Sequence, residues 1–219
     1  MINIQGELPV TDRWNFRIKK IEADQDVSIF VEGTDYVMAV NSTFYREDLS
    51  FTADNFAACQ SDRYSLLTHK NGSAVIISFP GLRLNENRYY TQRILDQGNL
   101  SYMDGGTNTT AINPGRLGDP VINYVHFPAH MYQTLHTHPS HRVGMVLRGS
   151  GRVELDHDEF FPVREGEAFF LRRNELHNFI TDDKPVILYV WAPDSGTGPT
   201  DEVNPLKIRT YVGQQRYSR

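Results

Sequence analysis

The histidines of this chain are unevenly distributed. Of the eight, only His69 precedes residue 120, so imidazole chemistry is expected in the second half. His136 and His138 are two residues apart, and residues at that spacing project from the same face of a β-strand. A third histidine from another strand, His177, would complete a set of three neutral imidazoles around one metal ion. Such a set suits Fe, Cu, Ni or Zn and leaves open positions for water, O2 or substrate.

The elements that must position these side chains are predicted to be strands. Short apolar runs alternate with turn residues, which is typical of an all-β sandwich or small barrel. The runs are residues 27–31, 36–40, 74–79, 121–125, 144–147, 152–155, 168–171 and 186–191. One helix is predicted over residues 86–97, where Tyr90, Ile94 and Leu95 share a side.

Two stretches rich in Gly, Asn, Thr and Pro divide the chain. We predict a first β-lobe over residues 1–97, a linker or loop over 98–118, a second lobe over 119–195 and a tail over 196–219. The lobes also resemble each other in sequence. Residues 27–33 resemble 143–149, which lie 116 positions later, and residues 74–80 resemble 186–193. The repeat favours two similar lobes, and the alternative is unrelated hairpins that share a strand–Gly–strand pattern.

Two segments of the second lobe form a recognisable pair of motifs. Residues 136–149 read HTHPSHRVGMVLRG and residues 166–177 read GEAFFLRRNELH. They resemble the two motifs of the cupin superfamily, with His136, His138, Gly149, Gly166 and His177 in register. The resemblance covers about residues 119–193. It implies an all-β, cupin-type barrel or jelly roll with His136, His138 and His177 as metal ligands, and, with the repeat, a small bicupin whose N-terminal lobe is degenerate.

The motifs also depart from the family pattern. Where the family carries a glutamate seven residues before Gly149, this chain has Arg142, whose guanidinium cannot ligate a metal. A shift of one residue would offer His141 as a fourth ligand or as a neighbour of the site. Arg142 either faces the cavity and binds a carboxylate, or lies at the rim and pairs with a surface acid. Arg142 and His141 are therefore the candidate catalytic residues.

Other residues are weaker candidates for the cavity. The aromatic ones are Tyr132, Phe179, Tyr189 and Trp191, for which core packing is the alternative. His126 and His130 share the parity of the histidine motif if their strand is unbroken, and His157 fits a solvated hairpin turn. In the first lobe, the 116-residue offset places Lys20, Glu22 and Asp26 at the positions of His136, His138 and Arg142, and Tyr64 or Ser65 near the position of His177. That lobe is expected to bind no metal and to cover an apolar sheet face.

The resemblance implies a metal-dependent enzyme. Three-histidine cupins resemble non-heme Fe(II) dioxygenases of small aromatic or dicarbonyl compounds, so we expect an oxidoreductase that acts on a small organic anion. Fe(II) is favoured as cofactor, with Mn, Ni, Cu and Zn as alternatives. A metal-dependent isomerase or lyase, and a non-catalytic small-ligand-binding cupin, are the other two hypotheses.

The composition excludes several other classes. The net charge of −5 argues against a nucleic-acid partner, and a single cysteine, Cys59, argues against a disulfide framework. No run of about 18 apolar residues predicts a membrane span, and the first residues do not resemble a secretory signal. We therefore expect a cytoplasmic protein without a membrane partner. The sequence leaves open whether the chain forms a homodimer.

Overall fold

Strands form nearly all of the regular structure in the computed structural model. It describes residues 1–21, 25–29, 33–46, 49–61, 65–84, 88–155, 159–195, 209–212 and 215–218. Within these ranges the one helical segment is a 3-10 turn at Met103–Gly105. The strands are β1 (Ile2–Asn3), β2 (Glu7–Val10), β3 (Phe16–Ile21), β4 (Gln25–Ile29), β5 (Gly33–Arg46), β6 (Leu49–Ser61), β7 (Ser65–Lys70), β8 (Ser73–Pro80), β9 (Arg88–Gln92), β10 (Leu100–Ser101), β11 (Thr107–Ile112), β12 (Val121–Phe127), β13 (Arg142–Arg148), β14 (Ser150–Leu155), β15 (Glu159–Arg164), β16 (Ala168–Leu171), β17 (His177–Thr181), β18 (Val186–Ala192), β19 (Arg209–Val212) and β20 (Gln215–Ser218).

The second half of the chain folds into two facing sheets, as a jelly roll does. The long sheet has the order β1-β16-β13-β18-β12-β11-β10, and the short sheet has the order β15-β14-β17. Alternate residues of the long sheet point toward the short sheet, because successive side chains of a strand face opposite ways. Val146, Phe169 and Leu188 pack there against Val153 and Phe179 of the short sheet. The predicted all-β, cupin-type architecture is confirmed.

The opposite face of the long sheet packs against the N-terminal sheet, whose order is β2-β3-β8-β5-β6-β9. Trp191 is fully buried in this contact, with its ring centroid 4.8 Å from that of Phe16 and 5.9 Å from that of Tyr36. The Tyr189 hydroxyl donates a hydrogen bond to Asn55 of β6. The N-terminal sheet therefore covers an apolar face of the long sheet, which is the role that the sequence predicted for the first part of the chain.

The strand order repeats between the two sheets. The order β3-β8-β5-β6 in the N-terminal sheet corresponds to β12-β18-β13-β16 in the long sheet. This order matches β8 with β18, as the sequence predicted, but it matches β13 with β5 and not with residues 27–33. The 116-residue offset is therefore wrong for that segment. β4 pairs with β7, and Ile29 lies opposite Ser65 in this pair. The corresponding pair in the second half of the chain is His136 opposite His177.

Two local predictions were wrong. The helix predicted over residues 86–97 is a strand at Arg88–Gln92, paired with β6, and residues 93–97 are not helical; residues 85–87 lie outside the described part. The predicted linker, residues 98–118, contains β10, the 3-10 turn and β11, and β11 pairs with β12 along its length. In both places backbone pairing with an existing sheet outweighs the local sequence preference.

β19 and β20 form a hairpin in the predicted tail, and His157 lies outside the described residues. No helix in the described part of the chain has the length and apolar character needed to cross a membrane.

The N-terminal sheet contains a buried carboxyl group that should make stability depend on pH. Asp35 is 2% exposed, and its Oδ2 has no hydrogen-bond partner among the described residues. Burial raises the pKa of Asp35 to about 6, from 3.8, although a hydrogen bond with Ser78 opposes the rise. Its contribution to the free energy of unfolding is therefore greatest below pH 3.8 and is lost as the pH rises through about 6.

Asp35→Asn should remove the loss of stability that ionisation of Asp35 causes above about pH 6. We expect the variant to be more stable than the parent by about 3 kcal/mol at pH 7, with the difference vanishing below pH 4. Urea unfolding from pH 3.5 to 7.5 measures it, with the exposed Asp54→Asn as the matched control. A difference that stays constant across this range would contradict the assignment.

The barrel interior depends on a glycine at one close contact. A Cβ at Gly144 would lie 2.0 Å from Cζ of Phe169, a side chain that is 2% exposed. Gly144→Ala must displace that ring, and we expect a loss of about 1–3 kcal/mol in the free energy of unfolding. Gly6→Ala, where a Cβ meets nothing within 4 Å, is the control and should cost much less. Equal losses for the two variants would show that Phe169 moves freely.

Candidate metal centre

Three histidines meet between the two sheets at one end of the barrel. His177 begins β17, and His136 forms a β-bridge with it in which each backbone N–H donates to the other residue's carbonyl at 3.0 Å. His138 follows two residues later on the same extended segment. One ring nitrogen of each histidine lies within 4.8 Å of those of the other two. All three side chains are buried.

Backbone carbonyls orient two of the three rings. Nδ1 of His136 lies 2.8 Å from the carbonyl oxygen of Thr134, and Nδ1 of His177 lies 2.8 Å from that of Glu175. Each Nδ1 therefore carries the proton and donates it, which leaves the Nε2 lone pair for a ligand bond. Nδ1 of His138 is buried with no hydrogen-bond partner among the described residues.

The electrostatics of the site keep the three imidazoles neutral. Burial lowers the pKa of His136 to about 4, and it holds the pKa of His138 and of His177 well below the usual range. The nearby Arg142 guanidinium lowers all three further. A metal ion binds the neutral form, so three converging neutral donors fit a divalent transition metal.

An aspartate supports the segment that carries His136. Asp104 accepts a hydrogen bond from the backbone N–H of Thr134 at 2.6 Å and from its hydroxyl at 3.2 Å. Asp104 has a φ of 55°, a left-handed conformation that Asp tolerates better than most residues. The carboxylate thus fixes Thr134, whose carbonyl in turn orients the His136 ring.

The histidines line one wall of a cavity of about 250 Å³. Apolar side chains from both sheets form much of the remaining wall, among them Val125, Phe169, Leu188 and Phe179. The polar lining outside the histidines comes from Tyr102, Asn108, Asn123, Gln133, Arg142, Asp194 and Ser195. The cavity therefore combines a metal-binding wall, the ionisable side chains of Arg142 and Asp194, and an apolar interior.

Arg142 faces this cavity. Its Nη1 donates to the carbonyl of Ser140 at 3.1 Å, to the hydroxyl of Ser140 at 2.6 Å and to the carbonyl of His141 at 2.8 Å. Burial lowers the pKa of Arg142 to about 10, while Tyr102 and Asp194 raise it. The guanidinium is therefore charged at neutral pH, and its own segment holds it in place.

His141 does not join the three-histidine cluster. Its Nε2 lies 2.6 Å from Oδ2 of Asp12, and its Nδ1 accepts a hydrogen bond from the backbone N–H of Arg173 at 3.0 Å. Its ring packs against Trp14 and Phe170 on the side of the N-terminal sheet. Both nitrogens are engaged away from the cavity, so the geometry does not support the fourth-ligand alternative.

Of the weaker candidates, the structure brings only Phe179 to the cavity. Tyr189 and Trp191 lie on the opposite face of β18, and Tyr132 is 63% exposed with its hydroxyl bonded to Glu154. Two of the candidate histidines also lie outside the cavity. His126 lies on β12 between cavity-facing residues and so points the other way. His130 has a φ of 58° and is exposed beside Asp183.

Sequence reasoning missed most of the polar residues of the site, and three of those missed lie in the predicted linker. Tyr102 and Asn108 line the cavity, and Asp104 supports the His136 segment. The one sequence signal was the alternation of Thr and Asn in TNTTAI of β11, which a Gly-rich context concealed.

The comparison with known families agrees with this geometry. The Cupin domain model (Cupin_2) matches residues 123–192, which contain all three histidines. Residues 123–192 therefore match the cupin family, as the sequence motifs predicted. No curated protein sequence matches the chain.

Solved cupin-fold structures extend the likeness to most of the chain. Salicylate 1,2-dioxygenase from Pseudaminobacter salicylatoxidans is similar over 85% of this chain and 74% of its own, with a TM-score of 0.56 and 10% identity. An IolB-like protein from Salmonella typhimurium LT2 is similar over 86% and 88%, with a TM-score of 0.59 and 10% identity. Ylba from E. coli is similar over 83% and 77%, with a TM-score of 0.54 and 13% identity. At these identities the likeness concerns the fold.

The support from Asp104 should be measurable as metal affinity. In Asp104→Ala, Thr134 loses the carboxylate that accepts its two hydrogen bonds. The Thr134 carbonyl that orients the His136 ring is then less firmly held, so we expect Zn(II) binding to weaken about 10- to 100-fold. Competition with a chromophoric chelator measures the affinity, and Asp183→Ala, at an exposed site, is the control. Unchanged affinity in Asp104→Ala would remove Asp104 from the site.

Proposed function

We propose that this metal-binding cupin is a non-heme Fe(II) dioxygenase that acts on a small organic anion. The observation that carries the proposal is the convergence of His136, His138 and His177 on a cavity wall that also presents Arg142. Three neutral ligands leave the positive charge of a divalent ion uncompensated. An anionic substrate is therefore favoured beside it.

The metal would be held by the three imidazoles, and when bound it would supply a Lewis acid and a redox centre with open positions. The chain itself supplies the remaining functions. Arg142, charged and buried, would hold the substrate carboxylate through charge-assisted hydrogen bonds. The apolar wall would exclude bulk water and strengthen those interactions.

The size of the cavity limits the substrate. A volume of about 250 Å³ lies below the common range for drug-sized ligands and suits a compound of one ring. The similarity to salicylate 1,2-dioxygenase supports this class, since one structure of that protein is an adduct with gentisate. We therefore propose a monocyclic aromatic acid or a dicarbonyl acid of similar size as substrate.

We also propose the bicupin organisation, with residues 1–97 as a degenerate lobe. The repeated strand order supports it, and the positions paired like His136 and His177 are occupied by Ile29 and Ser65, which are not metal ligands. We propose further that residues 119–195 form the second lobe and residues 196–219 a tail. We also propose that the protein forms a homodimer. Because β11 pairs with β12, the part of residues 98–118 that forms β11 belongs with the second lobe.

The test uses the full chain loaded with Fe(II) under anaerobic conditions. Addition of O2 with a panel of hydroxybenzoates should produce O2 uptake and ring cleavage, followed by an oxygen electrode and mass spectrometry. His136→Ala should bind no stoichiometric iron and should lose turnover by at least about 100-fold, since removal of a ligand leaves two imidazoles.

The exposed His130→Ala is the matched control and should retain both iron and turnover. Turnover without O2 would favour a metal-dependent isomerase or lyase instead. Full activity of metal-free protein would refute the proposal.

A further inference from the structure

Two residues that line the cavity have a buried polar atom with no hydrogen-bond partner among the described residues. One is His138, whose Nδ1 belongs to a member of the metal cluster. The other is Asn108, whose Oδ1 belongs to no cluster. An unsatisfied buried acceptor is costly and rare, so this amide needs a separate explanation.

Asn108 lies at a different level of the barrel from Arg142. Asn108 pairs with Val125 of β12, whereas Val143, next to Arg142, pairs with Trp191 and through it with Ile122. Ile122 and Val125 are three residues apart on the same strand, which corresponds to about 10 Å along the barrel. The cavity thus has a polar group at each of two separated levels.

The neighbours of Asn108 across β12 and β18 are apolar. Val125 pairs with it directly, Leu188 pairs with Val125, and both line the cavity. The backbone of Asn108 is closely covered by Gly98, at which a Cβ would lie 2.8 Å from the Asn108 backbone nitrogen. The strand backbone is therefore closely packed at Asn108, whose register opposite Val125 places its side chain on the cavity face.

We propose that Asn108 is a specificity-determining residue that accepts a hydrogen bond from a hydroxyl or N–H group of the substrate. This rests on the proposed function: Arg142 and the metal would hold the carboxylate end, and Asn108 would bind a donor on the far side of the ring. The substrate class narrows to a monocyclic acid with a second polar substituent away from its carboxylate. A cavity that hydrogen bonds such a group discriminates against the analogue that lacks it.

The test measures binding to the Zn(II)-loaded full chain, because zinc is redox-inert and prevents turnover. The probes are 2-hydroxybenzoate, which lacks the distal donor, and 2,4- and 2,5-dihydroxybenzoate, which carry it at adjacent positions. Calorimetry should show tighter binding of one dihydroxy acid by about tenfold in the parent protein. Asn108→Leu, of similar volume, and Asn108→Ala should abolish this preference and leave the affinity for 2-hydroxybenzoate within about twofold.

Asn123→Leu is the matched comparison. Asn123 also lines the cavity, but its Oδ1 already accepts a hydrogen bond from the Thr110 hydroxyl at 3.3 Å. The preference for a dihydroxy acid should persist in this variant. Without ligand, Asn108→Leu should unfold at the same temperature as the parent or higher, because it removes an unsatisfied amide, whereas Asn123→Leu should unfold at a lower temperature.

The outcomes separate this inference from the proposed function. Equal affinity of the parent protein for all three acids, or a preference that survives in Asn108→Leu and Asn108→Ala, would overturn the role of Asn108 and leave the proposed function standing. A clear loss of stability in Asn108→Leu would show a structural residue and would also overturn it. Failure of all three acids to bind the Zn(II)-loaded chain would overturn both the substrate class and the role of Asn108.

Discussion

The long sheet is buried on both faces, and the rest of the structure depends on this constraint. Along β13, Val143 and Met145 pack against the N-terminal sheet, while Arg142 and Val146 face the short sheet or the cavity. The two sets alternate because a strand has a period of two. A shift of one residue in register would bury Arg142 between the two large sheets and would empty the cavity wall.

Hydrogen bonds of the backbone define the metal site more than contacts between side chains do. Thr134 and Glu175 each lie two residues before a histidine, and each accepts the Nδ1 proton of that histidine. The backbone amide of Asn174 donates to the carbonyl of His138 at 2.7 Å, which ties the two ligand segments together. Backbone carbonyls of extended chain therefore orient His136 and His177, and the carboxylates of Asp104 and Glu175 support the two segments that carry these carbonyls.

The sequence alone predicted the all-β fold and the convergence of His136, His138 and His177. Runs such as VILYVW at 186–191 predict a strand whichever face is buried, and the spacing of His136 and His138 places both on one face. The same run could not show which residues face the cavity, because both of its faces are apolar. Tyr189 and Trp191 were therefore candidates for the cavity, although they pack against the N-terminal sheet. β11 was missed because its stability comes from pairing with β12 and not from apolar residues of its own.

The hydrogen bond between His141 and Asp12 joins residues 129 positions apart. It connects the N-terminal segment to the short stretch that carries both His138 and Arg142, so the ligand-binding wall and the lobe contact share one piece of chain. The N-terminal segment therefore supports the wall that carries the three histidines, although none of its described residues belongs to the histidine cluster.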